Sequence, residues 1–238
     1  HHSTAPLYRL RVSLRGAKGL YVYAVATLPE YRGRGHMRAL EAFCCRFARE
    51  NGRVFTCLVP ADEGLFALYG RLGYRNFSGL TKSRIHPENE VDITHISAGG
   101  TLAGQVDIKL SVLNFDEFYR LRSAWLARFA NPVRFEGKYE LYAYDDYLHS
   151  GGNILGAAGG YLCIRPVEGE NGALEITETT LPRPLLRQIL PALPGFGREG
   201  SVYLRTPGGQ PFSMLKPLGG FAAPAYDPAG NYFNFALD

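Results

Sequence analysis

The chain has 238 residues, a formal charge of +4, 46% hydrophobic and 13% aromatic content, enough apolar surface for one large core or two small ones. That composition excludes a disordered chain, and no apolar run approaches the ~20 residues of a membrane span or opens the sequence as a signal peptide. The charge is mild and no lysines or arginines run together, so the expected partner is an anionic small molecule, with neither nucleic acid nor membrane.

His1-His2 reads either as a tag remnant or as the first ordered part of a longer chain. Leu7–Leu14 alternates apolar and polar residues as a half-exposed strand, and Arg15–Gly19 turns it into a second, a hairpin. Tyr21–Thr27 is rich in aromatic and β-branched residues and reads as that second strand. Met37, Leu40, Phe43, Cys44 and Phe47 recur at helical spacing until Asn51-Gly52 closes the helix. Val54–Val59, bounded by Gly52 and Pro60, predicts a strand buried on both faces. A second helix spans about Glu63 to Leu72, with Leu65, Leu68, Tyr69 and Leu72 on one stripe, and ends at Gly73. Tyr74–Ile85 and Val91–Ile96 read as strands, Pro87-Glu88-Asn89 as their turn, and Ser97–Thr101 as a domain boundary.

The second half repeats the alternation. Asp107–Leu113 reads as a strand, and Asn114 with Glu117 forms a capping pair for a helix carrying Phe115, Phe118, Leu121, Trp125 and Phe129 inward, stopped by Asn131-Pro132. A helix over Lys138–His149 ends at Gly151-Gly152. Asn153–Ala158, Tyr161–Arg165 and Ala173–Thr179 read as strands, Pro184 opens a helix, and Ser201–Arg205 is a further strand.

Between the second strand and the first helix lies Tyr31-Arg32-Gly33-Arg34-Gly35-His36-Met37. A strand, a glycine turn and a helix start aim several N–H groups and the helix dipole at one point, which suits a phosphate. Gly33 and Gly35 permit positive φ, and Arg32 and Arg34 add charge. The Gly-Lys-Ser/Thr of a P-loop and the third glycine of a dinucleotide fingerprint are absent, so a different diphosphate ligand is needed.

Two stretches together resemble the GCN5-related N-acetyltransferases, over about Tyr21 to Tyr74. Arg32–Met37 is similar to that family's coenzyme A loop, Gln/Arg-x-x-Gly-x-Gly/Ala, in its first and fourth positions, with Met37 in place of the small sixth residue. Leu68-Tyr69-Gly70-Arg71-Leu72-Gly73-Tyr74 is similar to the family's Leu-Tyr-x-x-x-Gly-Phe/Tyr helix ending. The resemblance implies that acetyl-coenzyme A is the cofactor, that Val25, Ala26 and Thr27 offer backbone to pantetheine, and that Arg32, Gly33, Arg34, Gly35, His36 and Met37 hold the diphosphate. It also implies that Tyr69 is the general acid that protonates the leaving thiolate, a role a phenol can fill at neutral pH. Asp62 and Leu65 stand where the family has asparagine and alanine.

The implied fold is α/β (α+β): two tandem mixed-sheet domains of this type, at 1–98 and 104–238, similar to the enhanced-intracellular-survival acetyltransferases. The strand and helices that normally open the first domain are expected to be missing. The second domain is degenerate, because Thr179-Thr180-Leu181-Pro182-Arg183-Pro184 has no glycine and its prolines lack N–H donors. The implied activity is transfer of an acetyl group to a primary amine of a small-molecule or peptide acceptor. A non-catalytic acyl-coenzyme A sensor and a peptidoglycan-type aminoacyl transferase are the alternatives, and a homo-oligomer is left open.

The remaining candidates read as structure. Cys44, Cys45, Cys57 and Cys163 lack zinc or disulfide spacing and are expected as buried thiols in a reducing, cytoplasmic setting. His86, His95 and His149 show no metal spacing, so no metal is expected. Tyr139, Tyr142, Tyr144 and Tyr147 read as packing, and Glu30, Asp62 and Glu63 as solvated carboxylates.

Overall fold

The computed structural model describes residues 8–23, 25–86, 109–196 and 200–234. In chain order the first elements are β1 (Tyr8–Leu14), β2 (Ala17–Tyr23), α1 (His36–Glu50), β3 (Phe55–Leu58), α2 (Glu63–Arg71) and β4 (Arg75–Ile85). Next come β5 (Ser111–Val112), α3 (Phe115–Leu126), β6 (Asn131–Phe135), α4 (Lys138–His149), β7 (Asn153–Ala157) and β8 (Gly160–Pro166). The chain closes with β9 (Leu174–Thr179), α5 (Arg183–Ile189), β10 (Val202–Pro207), β11 (Gln210–Pro217) and β12 (Asn231–Tyr232). This is the expected α/β class.

The chain packs as two compact units, the first from His1–Thr81, Leu126–Asp146 and Pro207–Asp238, the second from Lys82–Trp125 and Tyr147–Thr206. The second half of the sequence therefore contributes to both. The boundary expected at Ser97–Thr101, the turn at Pro87–Asn89, the strand Val91–Ile96 and His95 lie outside the described residues.

In the first unit the strand order is β12-β6-β1-β2-β3-β11-β4. Arg15 and Gly16, at φ 50° and 77°, form a two-residue hairpin turn between Leu14 and Ala17, the positive-φ geometry that matches strand twist. β2 and β3 run parallel from Gly19↔Phe55 to Tyr21↔Cys57, with α1 between them in sequence. Gly19 lies flat against the Phe55 ring, where a Cβ would sit 2.2 Å from ring carbons. β3 is buried throughout, as the sequence reading predicts, and its one polar residue, Thr56, donates its hydroxyl to Tyr74 Oη. α1 and α2 pack on the sheet through Val22, Cys44, Leu58, Tyr69, Tyr74 and Met214. Phe43, expected inward, is 40% exposed instead, under the Arg46 guanidinium.

Three strands differ from the sequence reading. β2 ends at Tyr23, so Val25–Thr27 leave the ladder instead of continuing it. α3 stops at Leu126, and Asn131-Pro132 opens β6 rather than ending a helix. Pro132 precedes Val133–Phe135, the residues that pair with β1, so its missing N–H costs that ladder nothing. β11 inserts antiparallel between β3 and β4, Met214 facing Leu58 on one side and Asn76 on the other.

The second unit has the order β10-β9-β8-β7-β5. It repeats the strand–helix–strand frame: β9 and β10 are parallel, Leu174↔Val202 to Ile176↔Leu204, with α5 between them in sequence. The capping pair is present in both directions, Asn114 N–H to Glu117 Oε2 at 3.1 Å and Glu117 N–H to Asn114 Oδ1 at 3.0 Å. One core is aliphatic, with Leu162, Ile176, Leu186, Leu190 and Leu204 at its centre. Buried Glu178 is satisfied by Arg122 Nε and the Tyr161 hydroxyl, each at 2.7 Å. Tyr147 is buried here as a packing residue, and Tyr144 is buried in the first unit.

Candidate functional site

The loop before α1 is built from its backbone upward. A 3-10 turn, Pro29–Tyr31, leaves Leu28, and Arg32 Nε donates to Thr27 O at 3.2 Å, closing the loop on itself. Gly33 and Gly35 sit at φ 75° and 79°, and a Cβ on either would meet nothing within 4 Å. Glycine is required there by backbone conformation, and the space above it is open. Gly35 is the N-cap of α1 and provides no side-chain cap. The first intrahelical bond is Ala39 N–H to Gly35 O at 3.1 Å, so the N–H groups of His36, Met37 and Arg38 carry no partner among the described residues. No acidic residue in the first turn offsets the positive end of the dipole.

These groups open on a cavity of about 770 Å³ in the first unit. Val25, Ala26 and Thr27 line one side, Arg32, Gly33, Gly35, His36 and Met37 another, and Tyr69 a third. The structure thus brings together every site residue expected from the sequence except Arg34, whose guanidinium lies 5.4 Å over the Tyr31 ring and outside the lining. Tyr31 also meets His36 edge-on, ring centroids 6.2 Å apart. Asp62, Leu65, Leu68 and Leu72 extend the wall along α2. Arg38 and Arg71, which the sequence reading missed, add two cations. Arg38 could have been found from its place in the first turn of α1; Arg71 lies in the same helix ending as Tyr69.

Tyr69 is 7% exposed and lies edge-on to Tyr74, centroids 5.6 Å apart. Its hydroxyl has no hydrogen-bond partner among the described residues, whereas the Tyr74 hydroxyl accepts from Thr56 Oγ1 at 2.9 Å. Burial and then the nearby charge of Asp62 push the Tyr69 phenol above its ordinary pKa. Asp62 itself caps α2, its Oδ1 accepting from Leu65 N–H at 3.0 Å. A neutral phenol therefore faces the cavity, held by packing and ready to donate.

The four cysteines are buried thiols, as expected. Burial and a hydrogen bond to Glu41 Oε1 at 2.9 Å raise Cys45 to about 11, and the same oxygen receives Lys216 Nζ at 2.7 Å. Among the described residues no group of three or more metal-ligating side chains is present, and no helix is long and apolar enough to cross a membrane.

The corresponding junction before α5 spends part of its backbone internally. Thr180 N–H donates to Tyr161 O, Tyr161 N–H donates to Thr180 Oγ1, and Leu181 N–H donates to Thr179 Oγ1 at 3.0 Å. Pro182 and Pro184 have no N–H to offer.

Residues 2–77 match the family model described as the acetyltransferase (GNAT) domain. Among solved structures, the chain is similar to a GCN5-related N-acetyltransferase from Kribbella flavida at 16% identity and TM-score 0.57, covering 89% of this chain and 56% of that one. A GCN5-related N-acetyltransferase from Anabaena variabilis gives 18% identity and TM-score 0.55, covering 88% and 58%. Eis1 from Mycobacterium abscessus gives 14% and 0.50, covering 89% and 60%. The chain spans less than two thirds of the length of these structures, and the likeness at such identities is one of fold. No curated protein matches the sequence. The resemblance read from the loop and the α2 ending is borne out by the matched domain and by the fold.

Proposed function

We propose, starting from the GNAT domain matched at residues 2–77, that this chain carries the acetyl-coenzyme A site of an N-acetyltransferase acting on a primary amine of a small molecule or peptide. One observation carries the reading: uncapped N–H groups at the α1 N-terminus and the partnerless hydroxyl of buried Tyr69 face one cavity. The fit is chemical. Bare glycine backbone, a positive helix end and Arg32, Arg38 and Arg71 suit a diphosphate, and the backbone of Val25–Thr27, beyond the end of β2, suits an amide-bearing arm.

Bound acetyl-coenzyme A would supply an acetyl group activated as a thioester. The remaining work falls to the chain. Backbone at Val25–Thr27 would orient the arm and polarise the thioester carbonyl toward a neutral amine, and Tyr69 Oη would hold the proton that the sulfur takes up as the carbon–sulfur bond gives way to carbon–nitrogen. The raised pKa keeps that proton in place across the neutral range. The amine's own proton would leave to water, and water would return one to the Tyr69 phenolate.

The test has two stages. Acetyl-coenzyme A and coenzyme A should raise the melting temperature, with NAD and ATP giving smaller shifts, because only a ligand that binds the folded state stabilises it. A panel of polyamines, aminoglycosides and peptide N-termini is then screened for acetyl-coenzyme A-dependent release of thiol. Binding without turnover on any amine would leave a sensor in place of an enzyme; no shift with either coenzyme would end the proposal.

A further inference from the structure

A second cavity in the first unit, of about 610 Å³, lies at the other end of α1, in the size range of small-molecule sites. Helix α1 runs from His36 to Glu50, so the loop cavity and this one are separated by roughly 20 Å of helix at 1.5 Å per residue. Leu10, Leu20 and Phe47 form apolar wall, with Leu141, 43% exposed, beside them. Arg11, Arg53 and Lys138 also line it, with Asp145 as the one lining carboxylate.

Arg53 carries the inference. Its side chain is 9% exposed, and one of its nitrogens, Nη1, donates to Glu136 Oε2 at 2.8 Å. A guanidinium has five N–H donors, and sealing donors in protein without acceptors is costly. No Arg53 nitrogen is among the described side-chain atoms sealed from solvent without a partner, so its remaining donors open on the cavity it lines. Arg11 and Lys138 have no carboxylate within ion-pair distance among the described residues; the Lys138 ammonium rests 5.8 Å over the Tyr139 ring. A buried, under-used fork of donors, two unpaired cations and an apolar wall meet in one hollow.

We propose that this cavity binds an amphipathic organic anion, its carboxylate held by Arg53 with Arg11 and Lys138 and its apolar body laid on Leu10, Leu20 and Phe47. The inference does not rest on the acetyltransferase reading. Sodium octanoate is titrated calorimetrically into the full chain, with octanamide as the uncharged control and with acetyl-coenzyme A present or absent. One octanoate should bind per chain, octanamide ~10-fold more weakly or not at all, the discrimination expected of a charge-assisted contact. Acetyl-coenzyme A should leave octanoate affinity unchanged.

Arg53→Met combined with Glu136→Gln, which leaves no buried charge unpaired, should weaken octanoate ~10-fold or more. Lys138→Glu and Leu141→Glu, both at accessible positions, should weaken it in a folded protein. The proposal is overturned if octanoate does not bind at millimolar concentration, if octanamide binds equally, if acetyl-coenzyme A displaces octanoate, or if Lys138→Glu and Leu141→Glu stay within twofold of the parent chain.

Discussion

The junctions that lead into α1 and α5 have the same frame, a strand, a short loop and a helix returning to a parallel strand. They differ in what happens to the backbone donors. Before α1, two glycines at positive φ turn the chain and leave three N–H groups without partners among the described residues. Before α5, the Tyr161 carbonyl takes Thr180 N–H, the Thr179 hydroxyl takes Leu181 N–H, and Pro182 and Pro184 have no N–H, so that of the donors up to the first turn only those of Arg183 and Leu185 stay without a partner among the described residues. A junction that spends its donors internally and carries proline has less to offer an anion than one turned by bare glycine.

The sharpest break of this contrast is Gly35→Val. The left-handed φ of 79° disfavours a β-branched residue, and the new side chain would fill the open space above the loop. Acetyl-coenzyme A affinity should fall by ~10²-fold or more in calorimetric titration, with the melting temperature lowered by a few degrees, since a non-glycine residue at positive φ costs about 1–2 kcal/mol. Unchanged affinity in the folded variant would remove the loop from the site. In the parent chain the same titration should give one coenzyme A per chain; two similar sites would erase the distinction between the junctions.

Tyr69→Phe comes next. It should lower kcat by ~10²-fold, the scale of a positioned general acid, with acetyl-coenzyme A affinity and melting temperature nearly unchanged because the hydroxyl has no protein partner to lose. A fully active variant would sink the proton-donor role.

At the junction before α5 the mirror experiment is Thr180→Val. It strips the acceptor from Tyr161 N–H and should cost about 1 kcal/mol of stability in denaturant unfolding while leaving coenzyme binding alone. A smaller, pH-dependent difference marks the second unit. Burial would raise the Glu175 carboxyl, but Arg205, Arg165 and Lys82 outweigh it and bring it from 4.5 down to about 2. Its contribution to stability is therefore complete above the unfolded value of 4.5 and is lost as pH falls from there toward 2. Glu175→Gln should flatten that part of the acid unfolding curve and leave the curve above pH 5 parallel to the parent's.

Much of the site was legible in the sequence because it is local. Gly33, Gly35 and the helix start lie within a few residues, and Tyr69 sits on a helix whose apolar stripe turns it inward. Arg38 and Arg71 were passed over, since an arginine on a helix reads as solvated until its place beside the loop or Tyr69 is weighed. The strands β6 and β11 escaped for a related reason. Pro132 and Pro211 look like strand breakers, yet Pro132 stands ahead of the pairs with β1 and Pro211 at a register shift against β4. No local pattern tells a segment beyond residue 206 that its partners are β3 and β4.

That insertion has a consequence for how the chain reaches its structure. β3 and β4 leave synthesis early, but the strand that fills the gap between them is made more than 120 residues later, since Met214 must find Leu58 and Asn76. Until then each presents an unpaired edge, and the closure that covers both, with β3 buried along its whole length, spans most of the chain. Non-local pairing of this kind makes for slow folding and exposed, association-prone intermediates. A chain stopped before Gln210 should have every residue of the loop and of Tyr69's helix and still fail to hold them in place.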